Sequence, residues 1–185
     1  MGIQRAMGFT IIEVLVAVLV LGLGLIGGAA MQLAALHARH QSTLLSNAVQ
    51  LASAMADSMR ANAEQMQLGD AGNPYLGLDY DAQSDMPAAL GASACFSATA
   101  HCDSAQMASV DIGEWKRQLR TGVPGGRFVI CRDDKTWDDA GKRLDWTCSN
   151  APTAPIVIKL GWKKSAAQGS VSAPVVMLAL TEASR

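Results

Sequence analysis

The chain has 185 residues, half of which are hydrophobic, and its formal net charge is −1. Nucleic-acid-binding domains carry a clear excess of positive charge, so this balance predicts no nucleic-acid partner. The sequence has no P-loop and no GxSxG nucleophile motif, and we expect no dinucleotide site. We therefore predict no cofactor, no catalytic residue and no enzymatic activity.

A membrane-spanning helix is predicted at residues 9–31. This stretch of 23 residues is apolar except for Thr10 and Glu13. A helix of roughly 20 apolar residues crosses the hydrocarbon core of a bilayer. Arg5 precedes the stretch, and the positive-inside rule then predicts that the N-terminus is cytoplasmic and that the residues after the span are periplasmic. We expect a single-pass protein of the inner membrane.

The span opens with a specific motif, Gly8-Phe9-Thr10-Ile11-Ile12-Glu13-Val14-Leu15. It resembles the class III leader of type IV prepilins, in which a glycine, Phe-Thr, two hydrophobic residues and a glutamate precede a hydrophobic helix. The resemblance implies that residues 1–8 are a leader, which a prepilin peptidase removes by cleavage between Gly8 and Phe9. It also implies that the same enzyme methylates the new N-terminus at Phe9.

Glu13 is predicted to guide assembly. A carboxylate inside a membrane helix costs roughly 2.5–3.5 kcal/mol, so it needs a partner. After cleavage, the amine of Phe9 lies one helical turn away and can pair with Glu13 of the same chain or of a neighbouring chain. Pairing between chains would set the register of one helix against the next. The alternative is a glutamate close enough to the membrane surface for its carboxylate to reach water.

Four glycines crowd the second half of the span: Gly22, Gly24, Gly27 and Gly28. Gly24 and Gly28 have the small-xxx-small spacing that lets two helix backbones approach closely. The pilin resemblance implies that this part of the helix unwinds locally inside a filament. Simple tolerance of glycine in lipid explains the same residues equally well.

Residues 32–68 are predicted to form the amphipathic half of the same helix. Apolar residues recur every three to four positions, at Leu44, Ala48, Leu51, Met55, Met59 and Met66. This spacing gives a helix a single apolar stripe. We expect one uninterrupted helix from Phe9 to Met66, about 87 Å long at 1.5 Å per residue.

Residues 69–185 are predicted to form a periplasmic globular domain that contains the four cysteines, Cys95, Cys102, Cys131 and Cys148. An even number of cysteines without a CxxC pattern indicates disulfides rather than a metal site. Three pairings are possible. We favour pairing between sequence neighbours, Cys95 with Cys102 and Cys131 with Cys148, because short loops close most easily.

The fold predicted for this domain is α+β and pilin-like, with the long N-terminal helix packed on an antiparallel sheet. Residues 68–94 are expected to form a loop, and Asp111–Leu119 a short helix. Strands are expected at Arg127–Cys131, Leu144–Cys148, Ile156–Trp162 and Val175–Leu180, with Ile156–Trp162 buried on one face only. We interpret Asp133, Asp134, Asp138 and Asp139 as a solvated hairpin tip rather than a calcium site.

Two further segments, Gly24–Gly27 and Ala56–Asn62, resemble the PilV-type minor pilins. This resemblance implies a minor pilin that primes assembly of the type IV pilus, enters the surface pilus, and supports twitching motility and attachment. The implied partners are the other minor pilins, the major pilin, the prepilin peptidase/N-methyltransferase and the inner-membrane pilus assembly machinery. Two alternatives stay open: a minor pseudopilin of a type II secretion system, and an independent single-pass protein with a periplasmic binding domain.

Overall fold

The structure, a computed structural model, describes residues 10–85, 95, 101–163 and 173–180. The chain divides into two compact units, Met1–Thr43 and Leu44–Arg185. Helix α1, Ile11–Ala61, contributes residues to both units. The second unit begins at Leu44, because the buried part of α1 packs in the core of the globular unit.

Helix α1 is the one helix in the described residues that is long and apolar enough to cross a bilayer. Its 51 residues include the whole of the predicted span from Ile11 onward. Its buried side chains all lie in the globular unit: Leu44, Ala48, Leu51, Ala52, Met55, Ala56 and Met59. This list confirms the predicted apolar stripe, and Met66 packs against the same core from outside α1.

The predicted continuous helix to Met66 is wrong, since α1 ends at Ala61 and a separate short helix α2 spans Ala63–Met66. Asn62 between them has φ −94° and ψ 60°, outside the helical region. Its side-chain nitrogen Nδ2 donates to Tyr75 Oη at 2.9 Å and to the carbonyl of Ser104 at 2.8 Å. These tertiary contacts break the helix at a residue of modest helix propensity.

The main sheet has four antiparallel strands in the order β1-β2-β5-β6. The strands are β1 Leu78–Asp81, β2 Gly126–Arg132, β5 Ile156–Trp162 and β6 Val176–Leu180. β2 pairs with β5 over its whole length, and β5 pairs with β6 from Ile156↔Leu180 to Leu160↔Val176. The α+β layout with an antiparallel sheet is thus present. β1 lies inside the segment predicted to be a loop, because Leu-Asp-Tyr-Asp is too short and too polar to indicate a strand.

Helix α3, Ser104–Gly122, completes the inner layer of the globular unit. It contains the predicted helix Asp111–Leu119 but begins seven residues earlier, where Asp103 and Gln106 form a reciprocal capping box. Trp115 and Leu119 of α3 share one hydrophobic cluster with the stripe of α1 and with the inner face of the sheet. This cluster is the main core.

The outer face of the sheet is covered as well, so the prediction that Ile156–Trp162 is buried on one face only is wrong. All seven residues of β5 are buried. Val129, Cys131 and Val157 form a second, smaller cluster, against which Trp146, Cys148 and Met177 pack. The residues between β2 and β5 therefore close over the central strands.

This covering segment, residues 133–150, is not the predicted hairpin. Leu144–Cys148 does not pair with β2; instead β3, Trp137–Asp138, and β4, Arg143–Leu144, form a two-stranded sheet of their own. β2 has β1 and β5 as its neighbours, which leaves no edge for another strand. We call residues 133–150 the covering loop.

Candidate functional site

The N-terminal turn of α1 contains the residues to which the pilin resemblance assigns a role. Gly8 and Phe9, the predicted cleavage and methylation positions, lie outside the described residues. Thr10 precedes the helix, and its Oγ1 accepts a hydrogen bond from the backbone N–H of Glu13 at 3.4 Å. Threonine three residues before glutamate is a known helix-start signal, which the sequence prediction overlooked. The cap places Glu13 in the first turn, where the helix dipole favours a negative charge.

From Ile11 to Leu36, α1 exposes large apolar side chains on all of its faces. Those that are more than half exposed run from Ile11, at 82%, to Leu36, at 61%. A helix that is apolar all round needs an apolar environment, either lipid or the packed helices of other proteins. The first unit by itself does not supply that environment.

The four glycines Gly22, Gly24, Gly27 and Gly28 lie within continuous helix. A Cβ added at any of them would meet nothing within 4 Å in the described part of the chain. They therefore form open notches in the helix surface, as a closely approaching second helix requires.

Residues Gly22 to Gly27 also have the spacing GxGxxG, a match that the sequence prediction overlooked. In dinucleotide-binding folds this pattern follows a strand and opens a helix. Here it lies in the interior of α1, where the backbone N–H groups are engaged in helical hydrogen bonds. It does not form a phosphate-binding loop.

The two histidines of α1, His37 and His40, are both exposed on the helix. No group of three or more metal-ligating side chains occurs among the residues that the structure describes. The two histidines lie in a mostly polar stretch of the helix, residues 37–43.

A buried ion pair lies beneath the covering loop. Lys159 of β5 and Asp133 each have 1% relative exposure, and Nζ lies 2.6 Å from Oδ2. The ammonium also donates to the carbonyl oxygens of Asp145 at 2.8 Å and Thr147 at 2.7 Å. The interpretation of Asp133 as part of a solvated tip is therefore wrong, because the lysine at the centre of the sheet draws this carboxylate inward.

The carboxylate of Asp133 is held as an anion. Burial by itself would raise the pKa of Asp133, but Lys159 and two backbone donors together lower it below its usual range. Those donors are the N–H groups of Lys135 and Ser149, which both bind Oδ1, at 2.9 and 3.1 Å. The ion pair thus holds the covering loop to the sheet at several backbone positions. It is closed to solvent, so it does not act as a catalytic site.

The remaining aspartates of the covering loop behave differently from Asp133. Asp134 and Asp139 are exposed. Asp138 pairs with Arg143 at 3.6 Å and accepts hydrogen bonds from the N–H groups of Ala140 and Gly141, both at 3.0 Å. These three residues fit the predicted solvated tip of the loop.

The disulfides join Cys95 to Cys102 and Cys131 to Cys148, the pairing of sequence neighbours that the short-loop argument favoured. Cys131 lies in β2 and Cys148 near the end of the covering loop, so this bridge ties the loop to the sheet. All four cysteines are oxidised, which fits an oxidising compartment.

Removing the second disulfide is expected to destabilise the globular unit. Its cysteines are 17 residues apart, and closing a loop of that size stabilises a fold by about 3 kcal/mol in the chain-entropy model. We expect the double variant Cys131→Ser/Cys148→Ser to lose about 2–4 kcal/mol of unfolding free energy in urea titrations. Reduction of the wild type, which also opens the bridge between Cys95 and Cys102, should cost at least as much stability. An unchanged midpoint in the variant would contradict the prediction.

A polar network crosses the main core where α1 ends. Tyr75 is fully buried; its hydroxyl donates to Asp111 at 2.9 Å and accepts from Asn62. Burial raises the pKa of Tyr75 well above its usual range, and burial also raises the pKa of Asp111. The network therefore joins the residue between α1 and α2 to α3 and to the segment after α2.

No protein-family model matches this chain, and no curated protein or solved structure is significantly similar to it. The fold by itself therefore defines the class of this protein. It is an α+β protein in which a long N-terminal helix, apolar enough to span a membrane, continues into a disulfide-bonded domain built on an antiparallel sheet.

Proposed function

We propose that this protein is a minor pilin of a type IV pilus. Its role would be assembly rather than catalysis, in a priming complex with other minor pilins. In this role it would support pilus biogenesis, and through the pilus twitching motility and attachment. The proposal also includes the pilin-like character of the fold.

The observation that carries the proposal is the difference in surface between the two parts of α1. Up to Leu36 the helix exposes large apolar side chains on all sides, residues 37–43 are mostly polar, and from Leu44 onward one face of the helix is buried in the globular unit. A filament subunit needs both properties in one helix. The first part must be able to leave lipid for a core of packed helices, and the second must hold a folded domain on the surface.

The N-terminal residues support the same proposal. Removal of residues 1–8 would expose the amine of Phe9 one turn before Glu13. The helix already begins with a cap at Thr10 that keeps Glu13 in its first turn. The amine and the carboxylate of neighbouring chains would then neutralise each other in an apolar environment, where a lone carboxylate costs roughly 2.5–3.5 kcal/mol.

The proposed partners follow from this role. The prepilin peptidase/N-methyltransferase would process the N-terminus, and the inner-membrane assembly machinery would extract the helix from the bilayer. The other minor pilins and the major pilin would pack against α1. The globular domain would lie in the periplasm before assembly and on the pilus surface afterwards, and its oxidised cysteines support that location.

The experiment that tests the proposal is deletion of the gene in its own bacterium, followed by two measurements on the same cells. One is the amount of pilin sheared from the surface, and the other is the amount of enzyme secreted by the type II system. Loss of surface pilin with normal secretion is expected. Normal pili with lost secretion would instead make the protein a minor pseudopilin.

A third outcome, with neither process changed, would favour an independent single-pass protein of the inner membrane. The N-terminus of the protein isolated from cells then distinguishes a processed pilin from an unprocessed membrane protein. A mature chain that begins at methylated Phe9 is expected from the proposal, whereas a chain that retains residues 1–8 would overturn it. Intact-mass measurement distinguishes the two forms directly.

A further inference from the structure

A short basic segment follows the apolar part of α1. His37, Arg39 and His40 come directly after Leu36, the last large apolar side chain that is exposed before the polar stretch. All three basic residues are exposed. Arg39 is the first arginine or lysine after Arg5, and two of the three histidines of the chain lie here. We call these three residues the basic band.

The basic band has no acidic neighbours along the chain. No aspartate or glutamate occurs between Glu13 and Asp57, although the sequence contains 16 acidic residues. A positive group in the band therefore has no carboxylate three or four residues away on its own helix. The net charge of −1 for the whole chain does not describe this segment, because all of its ionisable groups are basic.

The length of the apolar part of α1 places the basic band at the surface of a bilayer. From Ile11 to Leu36 the helix rises about 38 Å at 1.5 Å per residue, whereas the hydrocarbon core is roughly 30 Å thick. An apolar part centred on the core ends about 4 Å beyond the hydrocarbon, and the headgroups occupy roughly 5–8 Å on each side. The basic band then begins at the depth of the headgroups, and its long side chains extend to the phosphate groups.

The directions of the three side chains favour a bilayer over a protein as the partner. Successive residues of a helix are turned by about 100°, so Arg39 points about 160° away from His37 and about 100° away from His40. A protein docked on one face of α1 would contact at most two of them. A bilayer surrounds the helix with headgroups on every side, and the three residues differ in height by only about 4.5 Å.

We propose that the basic band binds the phosphate groups of anionic phospholipids at the membrane surface. The guanidinium of Arg39 donates to two oxygens of one phosphate, and ring N–H groups of His37 and His40 donate to neighbouring headgroups. A band without carboxylates favours lipids of net negative charge over zwitterionic lipids. The inference depends on the membrane span but not on the proposed function. It holds for either orientation of α1, because both leaflets present phosphate groups.

Lipid selectivity in reconstituted vesicles tests the proposal. The full chain is reconstituted in phosphatidylcholine vesicles with a trace of spin-labelled phosphatidylglycerol or of spin-labelled phosphatidylcholine. Electron paramagnetic resonance then measures the fraction of each labelled lipid that is immobilised at the protein. At low salt we expect the anionic lipid to associate at least about threefold more strongly than the zwitterionic lipid. A wild-type chain without this preference would overturn the proposal.

Substitution of the basic band identifies the residues responsible. The triple variant His37→Gln/Arg39→Gln/His40→Gln should abolish the preference for phosphatidylglycerol. Arg60→Gln, at an exposed position of α1 outside the band, is the matched control and should keep it. A preference that survives the triple variant would place the anionic-lipid site elsewhere, at Arg5 for example, and would overturn the proposal. Unchanged tryptophan emission shows that the globular unit of each variant is folded.

The depth of the basic band is measured independently with nitroxide labels on single cysteine variants. Collisions with dissolved oxygen, which concentrates in lipid, are compared with collisions with a water-soluble nickel chelate. Ala38→Cys should lie at the depth of the headgroups, between Ala30→Cys in the hydrocarbon and Ser46→Cys in water. A label at residue 38 that is as accessible to the chelate as the label at Ser46→Cys, or as inaccessible as the label at Ala30→Cys, would overturn the proposal.

Discussion

Replacing Asp133 by alanine is expected to lower the free energy of unfolding of the globular unit by about 3–5 kcal/mol. The substitution would leave the ammonium of Lys159 buried without its counter-ion. Removing one member of a buried ion pair is more damaging than the net stability of the pair suggests, because the remaining charge stays out of water. We expect this to be the largest effect of any polar substitution in the covering loop.

The surroundings of Lys159 leave it little room to adapt. Its three acceptors are the carboxylate of Asp133 and the carbonyl oxygens of Asp145 and Thr147. All three belong to the covering loop, which the disulfide between Cys131 and Cys148 holds against the sheet. An ammonium that lost the carboxylate would reach water only if the loop opened.

Urea unfolding followed by tryptophan fluorescence measures this effect cleanly. All four tryptophans, Trp115, Trp137, Trp146 and Trp162, lie in the globular unit, so the apolar part of α1 before Leu44 contributes no tryptophan to the signal. Asp139→Ala, at an exposed position of the same loop, is the matched control and should change stability by less than about 0.5 kcal/mol.

Two further measurements separate the lost charge from other effects of the substitution. The double variant Asp133→Ala/Lys159→Met should recover most of the lost stability, since it removes both charges. The pKa of Asp133 is lowered in the folded state, so its contribution is complete at neutral pH and is lost as the pH falls through the folded pKa. Asp133→Asn should therefore show a smaller loss of stability on acidification than the wild type. A wild-type midpoint in Asp133→Ala would rule out the ion pair as a stabilising contact.

Replacing Glu13 by alanine is expected to reduce the amount of this protein in sheared pili at least about tenfold, which corresponds to about 1.4 kcal/mol. The reason is the proposed pairing of the Glu13 carboxylate with the N-terminal amine of a neighbouring chain. Without it, that amine enters the filament core unpaired, and the cost of an unpaired charge in an apolar environment exceeds this figure. Leader removal should continue, since the predicted cleavage position lies between Gly8 and Phe9.

Immunoblots of sheared filaments and of whole cells measure incorporation against total protein. Glu13→Gln keeps the shape of the side chain and removes its charge, so it should behave like Glu13→Ala if the charge is what matters. Glu64→Ala, at an exposed position of α2, is the control and should enter pili normally. Wild-type amounts of Glu13→Ala in the pili, at equal cellular abundance, would exclude a role for this carboxylate in docking.

The sequence by itself determined the features that repeat along the chain or depend on neighbouring residues. The apolar run and the stripe from Leu44 to Met59 predicted α1, because a helix places every third or fourth residue on one side. The strands β2, β5 and β6 were visible as apolar runs between turn residues. Loop length favoured one of three possible disulfide pairings, and the structure contains that one.

Tertiary structure decided those features of the fold that depend on contacts with residues distant in sequence. β1 became a strand because its polar sequence lies against β2, where Asp79 meets Arg127. α1 ended at Ala61 because Asn62 binds Tyr75 and Ser104. β5 was buried on both faces because Lys159 draws Asp133 and the covering loop over the sheet. Each outcome depends on a partner that is 13 to 48 residues away in sequence, and the periodicity of a single segment carries no information about such a partner.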